Sequence, residues 1–234
     1  MHRRDQIAAN LRTIRSRVER AGGDPDAIVL VGVTKGQPVD VCQAAVRVGL
    51  VVLGENRVQE ALPKMDEVPG ALWHLIGHLQ TNKARHAHRF VLIQSLDSIH
   101  LAEALAERGG AEALLEVNVA REAQKHGVAP VEAVAVAARV ADLVRLRGLM
   151  AMGPAVGDPR PAFAELRQLR DEAEQRLGRA LPILSMGMSD DLEPAVAEGS
   201  TMLRIGRALF GERPSAEKRQ FGGQDFTESR RSAR

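Results

Sequence analysis

The sequence predicts a single (β/α)8 barrel, because short apolar segments with strand character alternate with helix-like segments along its whole length. Its 234 residues suit one large α/β domain better than two small ones. Eight apolar segments occur, and several are too apolar for strands with one face in water, which is typical of strands buried on both faces. These segments are Ile28–Val33, Leu50–Leu53, Leu72–Ile76, Phe90–Ile93, Ala113–Val119, Val144–Leu149, Leu181–Leu184 and Thr201–Ile205.

Helical patterns separate these segments, and such strand–helix alternation predicts a parallel sheet. Eight repeats favour a closed barrel, although periodicity alone does not distinguish it from an open doubly wound sheet. The residues Met1–Arg20 form an additional amphipathic helix ahead of the first strand. The later helical patterns are Val39–Val48, Val58–Met65, Leu101–Arg108, Val131–Leu143, Pro161–Leu177 and Asp190–Glu198.

The composition is that of a globular protein, with 44% hydrophobic residues, 26% charged residues and a net charge of +2. Aromatic residues make up only 3% and Tyr is absent, so the core must be aliphatic. We expect the barrel and its leading helix to occupy residues 1–213. Residues 214–234 are rich in Ser, Gly and charge, which predicts a disordered, basic tail.

Composition also bounds the partners and the compartment. A basic tail on a nearly neutral body is weak evidence for nucleic-acid binding, so we expect no nucleic-acid partner. The single cysteine, Cys42, excludes a disulfide within the chain. No apolar segment approaches the length of a membrane span, and the first helix lacks the apolar core of a signal peptide. The sequence therefore predicts a cytoplasmic protein without membrane association.

The end of the first predicted strand carries a candidate nucleophile. Chemistry in (β/α)8 barrels lies at the carboxyl ends of the strands. Because strand side chains alternate, Lys35 shares a face with Val31 and Val33, and it points into the mouth if that face is the interior. A partly desolvated lysine amine is a nucleophile. Most lysines at strand ends are simply solvated, so this position alone does not establish a role.

The ends of strands 7 and 8 predict a phosphate site. A small turn follows Ser185, and Gly206 lies where strand 8 enters a helix. Barrels frequently bind phosphate with these two loops, whose backbone amides face the anion. Arg204 shares parity with Gly206, and a buried arginine requires an acceptor. A lysine beside a phosphate site suits a phosphorylated aldehyde cofactor, and equally a phosphosugar bound by the lysine.

Strands 2 and 3 end in polar residues with two interpretations each. Asn56 is a plausible helix N-cap, with Gln59 completing a capping box, and its amide also suits the pocket. His74 and His78 straddle a strand end rather than one helix face, and no carboxylate adjoins them in the sequence. We therefore expect them to be structural or to line the mouth, and we expect no metal site.

These strand ends resemble those of the pyridoxal 5′-phosphate (PLP) homeostasis protein family, from about Val29 to Gly211. The most specific stretch is Leu184–Asp191, followed by Gly199–Thr201 and Arg204–Gly206. Further matches are Gly54–Asn56, Val58–Glu60, Trp73–His74, Ile76–Gln80 and Gly148–Met150.

The resemblance implies a barrel related to the PLP domain of bacterial alanine racemases. It implies that Lys35 holds PLP as a Schiff base. It also implies that Ser185, Gly206 and the backbone at Arg207 hold the phosphate. Family members commonly carry Thr where this chain has Arg207, so a hydroxyl is lost there. The arginine either replaces it with a charged donor or points away and leaves only its amide.

The remaining family positions concern the cofactor ring and the mouth. The resemblance implies that Arg204 faces the pyridine nitrogen and that Asn56 lies near the ring. The loop Glu122–Gly127 resembles a mobile family loop, whose Lys125 lies near the mouth. The family commonly has Thr-Lys after the Schiff-base lysine, where this chain has Gly36–Gln37, so no role is carried over for that second lysine.

These expectations favour binding of PLP over its use in turnover, so we predict no catalytic residue. Arginine is always charged and only donates, so Arg204 favours an unprotonated ring nitrogen and a poorer electron sink. Racemases also need a second base, which in alanine racemases comes from another domain and subunit. Here Tyr is absent and we expect no second domain. We therefore expect a monomeric carrier or buffer that passes PLP to apo PLP-dependent enzymes.

Three alternatives remain open at this point. The first is a small PLP-dependent amino-acid racemase, which would exchange the α-proton of an amino acid. The second is a phosphosugar aldolase that uses Lys35 without PLP. The third is a nucleic-acid module that binds through residues 214–234, with an affinity that falls steeply with salt.

Overall fold

The chain forms a closed barrel of eight parallel strands in a computed structural model that describes residues 3–212. Each strand pairs with the next in the sequence, and β8 pairs with β1 to close the barrel. The strands are β1 (Val29–Val33), β2 (Val52–Glu55), β3 (Leu72–Leu75), β4 (Leu92–Leu96), β5 (Glu112–Glu116), β6 (Arg145–Met150), β7 (Ile183–Ser185) and β8 (Met202–Ile205). The predicted (β/α)8 barrel is confirmed.

A leading helix and the connections between strands surround the barrel. The predicted N-terminal helix is confirmed as α1. The helices are α1 (Arg3–Arg20), α2 (Val39–Arg47), α3 (Val58–Glu67), α4 (Ile99–Ala106), α5 (Pro130–Val140), α6 (Arg160–Leu177), α7 (Leu192–Ala197) and α8 (Arg207–Phe210). Between β3 and β4 the connection is instead a 3₁₀ helix, Thr81–Arg89. Its buried residues Ala84 and Ala87 are three apart, which fits three residues per turn and gives no α-helical pattern in the sequence.

Helix α1 links the beginning and the end of the outer helical layer. It buries Ile7, Ile14 and Val18 and contacts α2, α7 and α8. Arg17 donates two hydrogen bonds to the carboxylate of Glu193, at 2.6 and 2.8 Å, and so ties α1 to α7. The helix therefore covers the side of the barrel where strands 7, 8 and 1 meet.

The barrel interior changes from apolar to polar towards the carboxyl ends of the strands. Four interior positions, Leu92, Leu114, Ile183 and Met202, belong to one apolar cluster with Val31. These residues come from strands that are not all neighbours, so they can pack together only inside the barrel. Two residues later along the same four strands, the interior positions are polar. They are Gln94, Glu116, Ser185 and Arg204.

Three of these polar residues join a buried chain of hydrogen bonds that crosses the interior. Gln94 Nε2 donates to His74 Nδ1 at 2.9 Å, and Ser185 Oγ donates to Gln94 Oε1 at 2.7 Å. Arg204 donates to Ser185 Oγ at 2.7 Å and to the carbonyl of Ala151, also at 2.7 Å. Buried polar groups need such partners. This chain of hydrogen bonds gives His74 a structural role, which is one of the two roles expected from the sequence; the other was to line the mouth.

Within residues 3–212, no helix combines the length and the hydropathy that a membrane span requires. The predicted tail, residues 214–234, lies outside the described part of the chain.

Candidate functional site

Two cavities meet at Lys35, at the carboxyl end of the barrel. The first, of about 430 Å³, extends over the ends of β2, β3 and β5 and is lined in part by Asn56, His78 and Glu116. The second, of about 490 Å³, extends towards β8 and is lined in part by Gly206 and Arg207. Lys35 is half-buried and lines both cavities. Its Nζ has no hydrogen-bond or ion-pair partner among residues 3–212.

The peptide groups on both sides of Lys35 are anchored to a buried ion-pair network. Lys64 Nζ donates to the carbonyl of Thr34 at 2.9 Å, and the amide of Gly36 donates to Glu60 Oε1 at 2.5 Å. Thr34 Oγ1 also donates to Glu55 Oε1 at 2.6 Å. Because strand side chains alternate, Thr34 faces these outer residues while Lys35 faces the mouth. The network therefore fixes the backbone of Lys35 and the direction in which its side chain leaves the strand.

Lys64 joins two carboxylates in this network. Its Nζ lies 2.6 Å from Glu55 Oε1 and 2.9 Å from Glu60 Oε1. Burial opposes its charge, but the two carboxylates outweigh burial, and the pKa of Lys64 lies above its usual value. Burial raises the pKa of Glu55, whose Oε2 has no hydrogen-bond partner within the described chain. The cluster is held together by one ammonium ion, and losing that ion would leave the fully buried carboxylate of Glu55 without its counter-charge.

Asn56 lines the first cavity and does not cap a helix. Helix α3 begins at Val58, and its N-cap residue is Arg57, which makes no side-chain capping hydrogen bond. The capping interpretation of Asn56 and Gln59 was therefore wrong. The chain passes Gly77 so closely that a Cβ there would lie 2.5 Å from the carbonyl oxygen of Asn56. This close contact fixes the backbone of Asn56 at the rim of the first cavity.

Paired turns after β7 and β8 form the side of the site predicted for phosphate. The amide of Ala208 donates to Ser189 Oγ at 3.2 Å, and the guanidinium of Arg207 pairs with Asp190. Arg207 thus takes its side chain to a neighbouring acid, although the residue still lines the second cavity. Gly206, the residue before α8, lies beside Val33, and a Cβ there would make an ordinary contact with that side chain at 3.4 Å.

Ser185 and Ser189 have different surroundings, and the sequence favoured Ser185 for the phosphate. Ser185 is fully buried, and its hydroxyl bonds to Gln94 and Arg204. Ser189 Oγ instead accepts the amide of Ala208, in the helix that follows β8. Neither serine is among the residues that line the two cavities, so the hydrogen bond to Ala208 is what distinguishes Ser189.

Arg204 and Glu116 are charged residues buried in the upper interior. Arg204 finds its acceptors in protein oxygens of Ser185 and Ala151, so it does not depend on a ligand for them. Burial lowers its pKa to about 10. Burial raises the pKa of Glu116 to about 7; the charge of Arg204 opposes this shift and that of Asp97 adds to it. Sequence analysis missed Glu116, because one acid at a strand end carries no distinguishing signal.

The loop after β5 closes one side of the mouth. Lys125 Nζ donates to Glu122 Oε1 at 3.0 Å and to the carbonyl of Gly153 at 2.7 Å. Gly127 has a φ of 110°, and a Cβ there would lie 2.8 Å from the amide nitrogen of Asn118. Lys125 is thereby held next to the mouth, and its neighbour His126, rather than Lys125 itself, is among the residues that line the first cavity.

The fold and the site define a class of protein. Residues 3–214 match the family described as "Alanine racemase, N-terminal domain". The same fold occurs in the alanine racemase of Corynebacterium glutamicum, which is 18% identical, with a TM-score of 0.72 over 91% of this chain and 62% of that chain. At that identity the likeness concerns the fold alone.

Nearer relatives narrow the class to one family. The pyridoxal phosphate homeostasis protein of Aquifex aeolicus is 40% identical over 222 residues, which cover 89% of this chain and 97% of the relative. That of Escherichia coli K12 is 36% identical over 239 residues, covering 92% and 100%. PipY of Synechococcus elongatus, solved with PLP bound, is 35% identical, with a TM-score of 0.77 over 88% and 100%. The chain belongs to the pyridoxal phosphate homeostasis protein family, as its resemblance indicated.

Replacing Lys64 by Met should destabilise the protein by about 3–5 kcal/mol, since Glu55 would lose its counter-charge in a fully buried position. The measurement is the free energy of unfolding in urea at neutral pH. Replacing the exposed Arg108 by Met should change it by less than about 0.5 kcal/mol. Equal effects of the two substitutions would contradict the role given to Lys64.

Replacing Glu116 by Gln should stabilise the protein more at pH 8 than at pH 5, by up to about 3 kcal/mol. The unfolded carboxyl loses its proton near pH 4.5 and the folded one near pH 7, so native stability falls as pH rises through this window. His74, whose pKa burial lowers to about 4, acts with the opposite sign, but it is present in both proteins and cancels.

Urea unfolding of wild type and variant at both pH values measures this difference. Glu172→Gln, at an exposed position on α6, is the matched control and should show no pH-dependent difference. A stability difference for Glu116→Gln that is the same at pH 5 and pH 8 would contradict the assigned shift.

Proposed function

We propose that the protein binds PLP through a Schiff base on Lys35 and acts in PLP homeostasis as a carrier or buffer of the cofactor. The observation that carries the proposal is the amine of Lys35, which has no partner among residues 3–212 and lies at the junction of two cavities, one of them bounded by the turn at Gly206 and Arg207. The names of its relatives and the PLP-bound structure of PipY support it.

The residues at the site fit PLP. Both cavities have volumes in the range of small-molecule sites, about 300–1,000 Å³. The backbone at Gly206 and Arg207 would bind the phosphate, because the leading amides of a helix have no partner within it. We assign the hydroxyl role to Ser189 rather than to Ser185. Asn56 would lie beside the ring, and Arg204 would face its nitrogen from below.

The chain's own residues favour binding over turnover. When bound, PLP supplies an aldehyde that combines with amines and a ring that withdraws electrons from the resulting adduct. Arg204 keeps its charge at neutral pH, and because a guanidinium has no acceptor atom it cannot keep a ring nitrogen protonated. The ring would then be a weaker electron sink. The anchored peptides around Lys35 hold the amine at one place on the rim, as reversible capture of an aldehyde requires.

An amino-acid racemase is the second candidate, and Glu116 is the observation that favours it. Its carboxyl group lines the same cavity as Lys35 and has a pKa of about 7, so it can exchange protons at neutral pH. Such an enzyme would exchange the α-hydrogen of its substrate with deuterated water. A panel of amino acids that shows no exchange would remove this candidate.

The partners and the compartment follow from the same proposal. We infer that the protein works as a monomer in the cytoplasm and delivers PLP to apo PLP-dependent enzymes. Delivery is tested by mixing the loaded protein with an apo-enzyme in the presence of a scavenger of free PLP. Reactivation of the apo-enzyme despite the scavenger supports direct transfer, whereas its complete suppression leaves release into solution as the route.

The purified protein should show the visible absorption of a PLP Schiff base, and Lys35→Ala should abolish it, since the amine that forms the bond is gone. Spectra are recorded before and after added PLP for both proteins. Lys83→Ala, which removes another lysine of the first cavity, should keep the absorption. A wild-type protein that stays colourless with excess PLP would contradict the proposal and favour a phosphosugar aldolase.

Replacing Ser189 by Ala should weaken PLP binding about 10-fold or more, because a hydrogen bond to a charged group contributes about 1.5–3 kcal/mol. Replacing Ser185 by Ala should instead lower the free energy of unfolding by about 1–3 kcal/mol and leave the affinity within about 3-fold. PLP titration followed by absorbance and urea unfolding measure the two effects. The opposite pattern would return the phosphate role to Ser185.

A further inference from the structure

We propose that His78, Asp97 and His126 form a binding site for a divalent transition-metal ion, with Zn²⁺ as its model ligand, at the rim of the first cavity. The three residues follow β3, β4 and β5, which are adjacent strands, so their loops meet at one side of the mouth. The site is separate from the phosphate side of the pocket, which is built from the loops after β7 and β8.

The ligand atoms are already close together. One nitrogen from each imidazole and one carboxylate oxygen all lie within 4.8 Å of one another. Asp97 Oδ2 is 2.7 Å from His78 Nδ1 and 4.0 Å from His126 Nδ1. Ligand atoms on a tetrahedral zinc ion with bonds of about 2.1 Å are separated by about 3.4 Å. Small rotations of the side chains are therefore enough to close the site.

The exposure of the three side chains is compatible with such a rotation. Asp97 is mostly buried, with 12% of its side chain exposed, and forms the fixed point. The His78 and His126 side chains are 40% and 57% exposed, and their rings stack with centroids 4.4 Å apart and planes 10° apart. Stacking aligns the two rings beside the same carboxylate. A simple ion pair between His78 and Asp97 would not explain why His126 lies beside the same carboxylate.

Glu116 supplies an independent observation. It is 4% exposed and lines the cavity with His78 and His126, yet within the described chain its carboxylate has no hydrogen-bond partner. Glu116 is outside the group of three ligands, and its carboxylate faces the cavity that the two histidines line. A cation held by the three ligands would lie at the rim of that cavity.

The donor set selects the class of metal. Two imidazoles and one carboxylate suit Zn²⁺, Co²⁺ or Ni²⁺, whereas Mg²⁺ and Ca²⁺ prefer oxygen ligands alone. Three protein ligands leave a coordination position open, and two of them, His78 and His126, line the cavity. An ion there would face the same cavity as Lys35. The sequence expectation of no metal site considered only His74 and His78. It could not include Asp97 and His126, because these residues lie in other loops and come near His78 only in the folded protein.

The test is calorimetric titration of Zn²⁺ into the full-length chain after treatment with a chelator. We expect one ion per chain, and Asp97→Asn and His126→Gln should each weaken binding about 10-fold or more, as even residues that only support metal ligands do. The absorption spectrum of added Co²⁺ should report nitrogen ligation and lose this signature in both variants. His100→Gln, at an exposed position on α4, is the control and should bind as wild type does.

Two results would overturn the proposal. The first is Zn²⁺ binding that is absent, or unchanged in Asp97→Asn and His126→Gln. The second is Zn²⁺ binding lost in Lys35→Ala, because the ion would then be held by the cofactor on Lys35 rather than by the three side chains. Retained binding in Lys35→Ala supports the site. The absorption of that variant reports on the PLP proposal separately, so the two proposals can fail independently.

Discussion

The ammonium ion of Lys64, buried between Glu55 and Glu60, is the interaction on which the position of Lys35 depends. It bonds to the carbonyl of Thr34, while Glu60 accepts the amide of Gly36, so both peptides beside Lys35 are fixed from outside the barrel. Buried ion pairs contribute little net stability, but removing one partner is costly. The network therefore acts mainly through geometry, because it fixes the backbone from which Lys35 enters the cavity, where its amine has no partner within the described part of the chain.

The interior of the barrel explains why this amine can meet a cofactor. An apolar layer closes the lower half, and polar residues two positions later along β4, β5, β7 and β8 form a layer above it. Gln94, Ser185 and Arg204 satisfy one another there, so Arg204 is ready as a fixed charge before any ligand arrives. A fixed cation near the ring nitrogen, as proposed for Arg204, would suit storage of PLP better than chemistry on it. Within the same cavity, Glu116 is the residue that could favour chemistry over storage, because its carboxyl group can exchange protons at neutral pH.

Much of the fold and part of the site could be predicted from the sequence. Alternation of strands and helices identified the barrel, and side-chain parity placed Lys35 at the mouth. Strand β4 was predicted to begin two residues too early and to end before Gln94 and Ser95, because these two residues are buried although their types are usually exposed. Lys64 and Glu55 look like solvated charges in the sequence. The sequence does not show which of Ser185 and Ser189 is nearer the turn after β8. The structure distinguishes them, because only Ser189 bonds to Ala208.

Our proposal requires that Lys35, and no other lysine, holds PLP. Borohydride reduction of the PLP-loaded protein fixes the bond, and mass spectrometry of tryptic peptides then locates it. We predict that the reduced adduct lies on Lys35 alone and that trypsin no longer cleaves after this residue. An adduct on Lys83 or Lys125 with Lys35 unmodified would contradict this assignment, because of these three lysines only Lys35 lines both cavities.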